Sequence, residues 1–151
     1  MKLNIGDKAP NFTLQATGDK TISLSDYIGQ KIILYFYPKD STSGCTKQAC
    51  AFRDLLPEFT NNNTVVLGLS KDSLKSHENF KAKQELNFDL LSDSECATCM
   101  DYGVWVEKSM YGRKYMGVER TTFLIDEKGI IQQIWRKVKV PGHVEKVLDS
   151  L

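Results

Sequence analysis

Four cysteines, Cys45, Cys50, Cys96 and Cys99, are the residues of this 151-residue chain whose type and spacing point most directly to chemistry. Cys45 closes the run Tyr35-Phe36-Tyr37-Pro38-Lys39-Asp40-Ser41-Thr42-Ser43-Gly44, and Cys50 follows after Thr46-Lys47-Gln48-Ala49. Such a run reads as a core strand ending and a helix beginning. Cys45 is therefore expected where unpaired backbone N–H groups and the positive end of a helix dipole converge, and both favour negative charge on sulfur. A free thiol has a pKa near ~8.5, and positions of this kind can lower it to roughly 3.5–7.5. The thiolate is the form that attacks. Thr42, three residues upstream on the same loop, can donate its hydroxyl to the sulfur or to an oxygen bound beside it. The bland alternative is a small buried apolar residue with Thr42 as an incidental cap, because free cysteines are often buried and inert.

Cys96-Ala97-Thr98-Cys99 forms a CxxC, which admits a thioredoxin-type dithiol, half of a zinc site or two packed helix cysteines. A second CxxC is lacking, and the two histidines, His77 and His143, fall in no recognisable Cys/His spacing. No metal and no bound cofactor are expected. A thioredoxin-type site normally follows an early core strand, the place that Cys45 already takes. Cys96 and Cys99 remain an alternative resolving or relay couple, since partner thiols exchange with a disulfide in sequence, or they simply pack. His77 reads as a solvated or core-edge residue of a helix. His143 opens the last helix and is given no catalytic role.

The positioning elements follow from periodicity and punctuation. Residues 31–37, rich in β-branched and aromatic side chains with little alternation, predict a central strand buried on both faces and stopped by Pro38. A helix opens near Cys45 and runs towards Phe59, with Pro57 expected to kink or divide it. Residues 64–70 predict a strand, Asp72 and Ser73 offer caps for a helix reaching about Leu86, and residues 89–92 a short strand. Ser94 is expected to cap a turn or two of helix ending near Gly103. Residues 121–125 and 130–136 read as a hairpin around Asp126-Glu127-Lys128-Gly129, and Val144, Val147, Leu148 and Leu151 recur at helical spacing. Crossover helices make parallel pairs and the tight turn an antiparallel one. The predicted architecture is a single α/β domain over residues 1–151, a mixed sheet with helices on both faces, which is a thioredoxin-like fold.

Composition narrows the function classes. Lys and Arg number 20 against 19 Asp and Glu, a net charge of +1, which argues against nucleic-acid binding. Hydrophobic residues at 41% and charged residues at 26% suit a globular protein. The apolar run from Ile32 to Tyr37 is far too short to span a membrane. The start, Met1-Lys2-Leu3-Asn4-Ile5-Gly6-Asp7, lacks an apolar core and meets an acid early, so no secretory signal is expected. A cytoplasmic protein is anticipated, in which clustered thiols are catalytic, redox-active or metal-bound rather than a disulfide framework.

Residues 35–50 closely resemble the peroxiredoxin family. Pro38, Thr42 and Cys45 fall on its Pro-x-x-x-Thr-x-x-Cys motif, and the flanking Tyr-Phe-Tyr-Pro-Lys-Asp and Gly-Cys-Thr-x-Gln-Ala-Cys resemble the bacterioferritin-comigratory (PrxQ) subgroup. Gly117-Val118-Glu119-Arg120-Thr121-Thr122-Phe123-Leu124-Ile125-Asp126 is similar to that subgroup's Arg-x-Thr-Phe-Leu-Ile-Asp strand. Trp105, Tyr111-Gly112 and Gly142-His143 also fit, so the likeness covers nearly the whole chain. The resemblance implies a thiol peroxidase that reduces hydrogen peroxide and organic hydroperoxides and is recycled by thioredoxin or a similar dithiol. It further implies a monomer or weak dimer. Cys45 would be the peroxidatic cysteine, with Thr42 and Arg120 binding the peroxide and Pro38 shielding the pocket. Only the resemblance selects Arg120, because Arg53, Arg113 and Arg136 are equally eligible from the residues alone. The subgroup usually has proline where this chain has Ser43, which relaxes φ and restores an N–H, so a somewhat looser loop is expected.

Cys50 matches the family's second cysteine and would be the resolving thiol. Five residues along a regular helix amount to about 7.5 Å of rise and about 140° of rotation, placing the Cα atoms roughly 8.5 Å apart, beyond the ~7 Å reach of a disulfide. A Cys45–Cys50 bridge then requires the first helical turns to unwind. Two other readings stay open from the residues: a dithiol–disulfide oxidoreductase acting through the CxxC, and a redox-sensing or zinc-binding interaction module.

Overall fold

The computed structural model describes residues 2–151; Met1, the first residue of the N-terminal segment read above, lies outside them. An antiparallel hairpin of β1 (Thr13–Ala16) and β2 (Lys20–Ser23) leads through a 3-10 turn, Leu24–Tyr27, to β3 (Lys31–Phe36). Then come α1 (Ser43–Asn61), β4 (Thr64–Ser70), α2 (Leu74–Gln84), β5 (Asp89–Ser92) and the short α3 (Ala97–Asp101). A second hairpin, β6 (Trp105–Met110) and β7 (Arg113–Val118), precedes β8 (Thr121–Ile125), β9 (Ile131–Trp135) and α4 (His143–Asp149).

Seven strands form one sheet in the order β2-β1-β5-β4-β3-β8-β9, while β6 and β7 pair only with each other. β3 runs parallel to β4 and antiparallel to β8, and β4 runs parallel to β5. The sheet is thus mixed for the reason expected: α1 and α2 carry the chain back between parallel neighbours, whereas a tight turn at Asp126–Gly129 reverses it. One face packs against α1, α2 and α4 through Phe52, Phe59, Phe80, Val144 and Val147. The other face meets the N-terminal segment and α3 through Phe12, Leu24, Cys99 and Tyr102. Burial on both faces explains why β3 lacks alternation. Among the described residues, no helix is long and apolar enough to cross a membrane.

Several boundaries differ from expectation. Pro57 does not divide α1, which runs as one helix to Asn61. The missing proline N–H frees the carbonyl of Arg53, four residues back, and the Asn87 side chain donates to that oxygen at 3.2 Å. Ser94 does not cap α3; Cys96 takes the cap position in a left-handed conformation. Asp93 supplies the acceptors, its carboxylate taking the N–H groups of Thr98 and Cys99. Ser73 alone caps α2, accepting from the Ser76 N–H, while Asp72 turns elsewhere. Residues 13–23 and 105–118, for which no strands are predicted, both form hairpins.

Candidate active site

α1 begins at Ser43 with Thr42 as its N-cap, so Cys45 is the third helical residue. The N–H groups of Ser43, Gly44 and Cys45 precede the first intrahelical acceptor, since the Thr46 N–H is the donor that reaches the Thr42 carbonyl. Cys45 is 2% exposed. Arg120, in the two-residue link between β7 and β8, donates from Nη2 to Cys45 Sγ at 3.2 Å and from Nη1 to Gln48 Oε1 at 2.6 Å. A fork with donors on two nitrogens suits this double contact. Gly44 leaves room for it, because a Cβ at that position would lie 3.3 Å from Nη2.

The structure brings together Cys45 and Arg120, a choice among the arginines that only the resemblance makes, and it separates the other arginines from them. Arg53 bonds Asp54 and the Gln84 carbonyl, Arg136 bonds the Leu3 carbonyl, and Arg113 stands exposed on β7. Pro38 is half-buried just beyond β3. Thr42 does not donate to the sulfur: its hydroxyl donates to the Lys39 carbonyl at 2.9 Å, closing its own loop. That leaves Oγ1 as an acceptor for an incoming O–H.

Sequence reasoning missed three neighbours. Gln48 is fully buried, and its Nε2 has no hydrogen-bond partner among the described residues. The signal was a polar residue on the apolar stripe made by Cys45, Ala49 and Phe52. Tyr35 stacks on Phe52 with ring centroids 4.6 Å apart, fitting over Gly68, where a Cβ would come within 2.9 Å of its hydroxyl. Burial, and then negative charge on Cys45, push that hydroxyl well above its usual range. Lys108 reaches back from β6, and burial followed by the nearby Arg120 push its ammonium down.

A buried polar network anchors the loop before α1. Asp40 accepts from the Tyr37 hydroxyl at 2.6 Å and from the Ser76 hydroxyl at 2.8 Å, and it lies 2.7 Å from His77 Nδ1. Its own N–H donates to Asp72, which also accepts from Ser70. His77 is therefore neither solvated nor at the core edge: it is wholly buried, held by a carboxylate 37 residues away in sequence. Asp40, Asp72 and His77 bring three ligand-type atoms within 4.8 Å of one another. Hydrogen bonds among these residues and to Tyr37, Ser70 and Ser76 hold the group together.

The remaining cysteines divide by environment. All four are free thiols. Cys50 is half-buried on α1 and donates to Gln84 Oε1 at 3.7 Å. Because α1 is continuous, the helical separation of roughly 8.5 Å from Cys45 stands. Cys99 is fully buried in the core cluster on the opposite face of the sheet from Cys45. Burial and the adjacent Asp93 push its thiol far up, and the same causes, more weakly, raise half-exposed Cys96.

His143, buried, lies with Nε2 2.9 Å from the Thr122 hydroxyl. Burial, then the positive charges of Arg120 and Lys146, push it down to about 4. The unfolded chain binds a proton there that the native chain refuses, so stability is expected to fall as pH drops from about 6.5 to about 4. The loss is on the order of 3 kcal/mol, at about 1.4 kcal/mol per pH unit. Asp40 and Asp89, held below the ordinary carboxylate range against the opposing effect of burial, lose their contribution only at more acid pH. Urea midpoints measured between pH 7 and 4 should show a drop that His143→Gln largely removes; an equal drop in that variant would contradict this assignment.

The AhpC/TSA family model matches residues 5–134. The putative peroxiredoxin bcp of Coxiella burnetii is 54% identical over 151 residues, covering 100% of both chains. Peroxiredoxin Bcp of Bacillus subtilis is 47% identical over 151 residues, covering 100% of this chain and 96% of its own. Among solved structures, a cysteine-to-serine mutant of Xylella fastidiosa PrxQ superposes with a TM-score of 0.94 at 45% identity, covering 99% of this chain and 96% of that one. The Xanthomonas campestris bacterioferritin comigratory protein, studied for alkyl peroxide reduction, has a TM-score of 0.89 at 45% identity, covering 92% and 88%. These neighbours share the thioredoxin-like fold.

Proposed function

The chain belongs to the AhpC/TSA family and is a thiol peroxidase, a peroxiredoxin, and from that premise we propose that Cys45 is the sulfur that attacks the peroxide and Cys50 the one that resolves it. One observation carries the assignment: Arg120 Nη2 donates to Cys45 Sγ at 3.2 Å at the open N-terminal turn of α1. Negative charge on sulfur is stabilised there by a fixed guanidinium and by unpaired backbone N–H groups.

In the first step the Cys45 thiolate attacks the terminal oxygen of a hydroperoxide. An S–O bond forms, the O–O bond breaks, and the departing alkoxide or hydroxide takes a proton to leave as alcohol or water. Cys45, now oxidised by two electrons, is a sulfenic acid. Charge moves along the S–O–O line during this step, so donors fixed beside it stabilise the transition state more than the ground state. Arg120 fills that role, with Gln48 holding the guanidinium in register. Thr42, its proton committed to Lys39, accepts the O–H of the incoming peroxide, and Pro38 limits access of water. The alkyl peroxide reduction studied in the Xanthomonas campestris relative supports organic hydroperoxides as substrates beside hydrogen peroxide.

In the second step the Cys50 thiolate displaces hydroxide from the sulfenic sulfur, forming the disulfide. A dithiol such as thioredoxin then restores both thiols through a mixed disulfide. The intact α1 keeps Cys45 and Cys50 too far apart, so its first turns open after oxidation, a local unfolding step. Hydrogen exchange on residues 45–53 should be faster in the disulfide form than in the reduced form; equal protection would contradict the step. Cys50→Ser should complete one turnover and then stall, its sulfenic acid trapped by dimedone, and sustained turnover with thioredoxin would reassign the resolving thiol.

The CxxC reading has less support. A dithiol–disulfide oxidoreductase needs an accessible low-pKa thiol, whereas burial raises Cys99 and Cys96. The proposal extends to one domain over residues 1–151 working in the cytoplasm, a reducing compartment in which clustered thiols serve chemistry rather than a disulfide framework, and to the monomer or weak dimer that the PrxQ resemblance implies.

A further inference from the structure

The proton count of the buried His77–Asp40 contact can be read from geometry. His77 Nε2 lies 2.8 Å from the Leu91 carbonyl oxygen, and a carbonyl only accepts, so Nε2 carries a proton. His77 Nδ1 lies 2.7 Å from Asp40 Oδ2. Two bare lone pairs do not face each other at that distance, so a second proton sits between them. A neutral imidazole beside an ionised carboxylate is one proton short of this arrangement. Asp40 accepts on both oxygens, from Tyr37 on Oδ1 and from Ser76 on Oδ2. The titratable groups facing the pair are Tyr37, which directly follows β3, and Asp72 from the segment between β4 and α2, while α2 contributes Ser76 and β5 the Leu91 carbonyl. Burial pushes the Asp40 carboxyl up, but the bonds from His77, Tyr37 and Ser76 outweigh this and hold it below the ordinary range.

The same residue ties down backbone. Asp40 stands midway between Pro38 and Thr42, its N–H fixed to Asp72 Oδ2 at 2.9 Å. We propose that Asp40 and His77, sharing the second proton, clamp residues 38–42 against β4, β5 and α2, and that His77 is thereby a positioning residue for peroxide attack at Cys45. This rests on Cys45 being the peroxidatic sulfur. His77 acts only through the loop, by fixing Thr42 at the start of α1.

Two readouts on the full chain test it. In nitrogen-15 NMR at neutral pH the two histidines report separately, with His143, buried as a neutral ring, as internal reference. Protons on both ring nitrogens of His77, with the Nδ1 proton far downfield, are expected; a bare Nδ1 would overturn the shared proton. In rapid mixing, His77→Leu is expected to slow peroxide oxidation of Cys45 by about 10²-fold, the scale of a misplacement near 1 Å. Its alkylation by iodoacetamide should change less than about twofold. His77→Asn, which keeps an N–H towards Asp40, should recover much of the loss, and the milder Ser76→Ala should show a smaller loss of the same selectivity. Unchanged peroxide rates in His77→Leu or, should it not fold, in Ser76→Ala would overturn the positioning role, as would equal losses in both reactions. Failure of the underlying assignment looks different, since the wild-type protein would then show no peroxide-dependent oxidation at Cys45.

Discussion

Cys45→Ser is expected to abolish peroxide consumption, with a loss on the order of 10⁴-fold or more, the scale seen when an enzyme's nucleophile is removed. A hydroxyl does not ionise near neutrality and is a poor nucleophile towards peroxide oxygen, and no other cysteine is placed to replace Cys45. Cys50 donates to Gln84 and has no arginine donor to its sulfur among the described residues, and Cys99 is sealed in the other core cluster. The substitution is nearly isosteric at a buried position, so the fold should persist and the loss should be chemical. A peroxide-consumption assay with thioredoxin and its reductase checks it. Multiple turnovers at wild-type rate would remove the assignment.

Arg120→Met should lower the second-order rate of peroxide reduction by about 10²–10³-fold, the range for loss of one fixed donor at developing negative charge. It removes the donor to Cys45 Sγ and also leaves buried Gln48 Oε1 unpaired, so a modest loss of stability accompanies it. Arg120→Lys separates charge from geometry. An ammonium keeps the positive charge but lacks the fork that reaches Gln48 and Cys45 together, and an intermediate rate is expected. Stopped-flow oxidation followed by tryptophan fluorescence, with thermal midpoints as control, measures both. A lysine variant as fast as the wild type would show that charge alone suffices.

The strands β3, β4, β5 and β8 were legible because they are buried on both faces and read as apolar runs. The β6–β7 hairpin was not, because most of its residues are exposed and no burial pattern marks the sequence. Its surviving signal is Tyr111-Gly112, two positive-φ residues of the kind that close a tight hairpin. Within the site, the place of Cys45 between a strand and a helix marked it as a candidate, but an inert buried cysteine stayed the better reading from position alone and the peroxiredoxin resemblance decided between them. Arg120 depended on resemblance, since four arginines were equivalent until the sheet brought one of them to the sulfur. His77 escaped for the same reason: a lone histidine on a helix gives no sign of a carboxylate arriving from a loop 37 residues earlier. That α1 continues through Pro57 was not legible because the partner of the carbonyl it frees, Asn87, lies 34 residues beyond Arg53. Local signals marked where chemistry begins, and long-range packing chose its partners.

The most direct measurement is a mass map of disulfides after one equivalent of hydrogen peroxide is added to the fully reduced protein. A single bond joining Cys45 to Cys50 is expected, with Cys96 and Cys99 still reduced. A bridge between Cys96 and Cys99 that leaves Cys45 as a free thiol would contradict the role assigned to Cys45 and, with it, the mechanism.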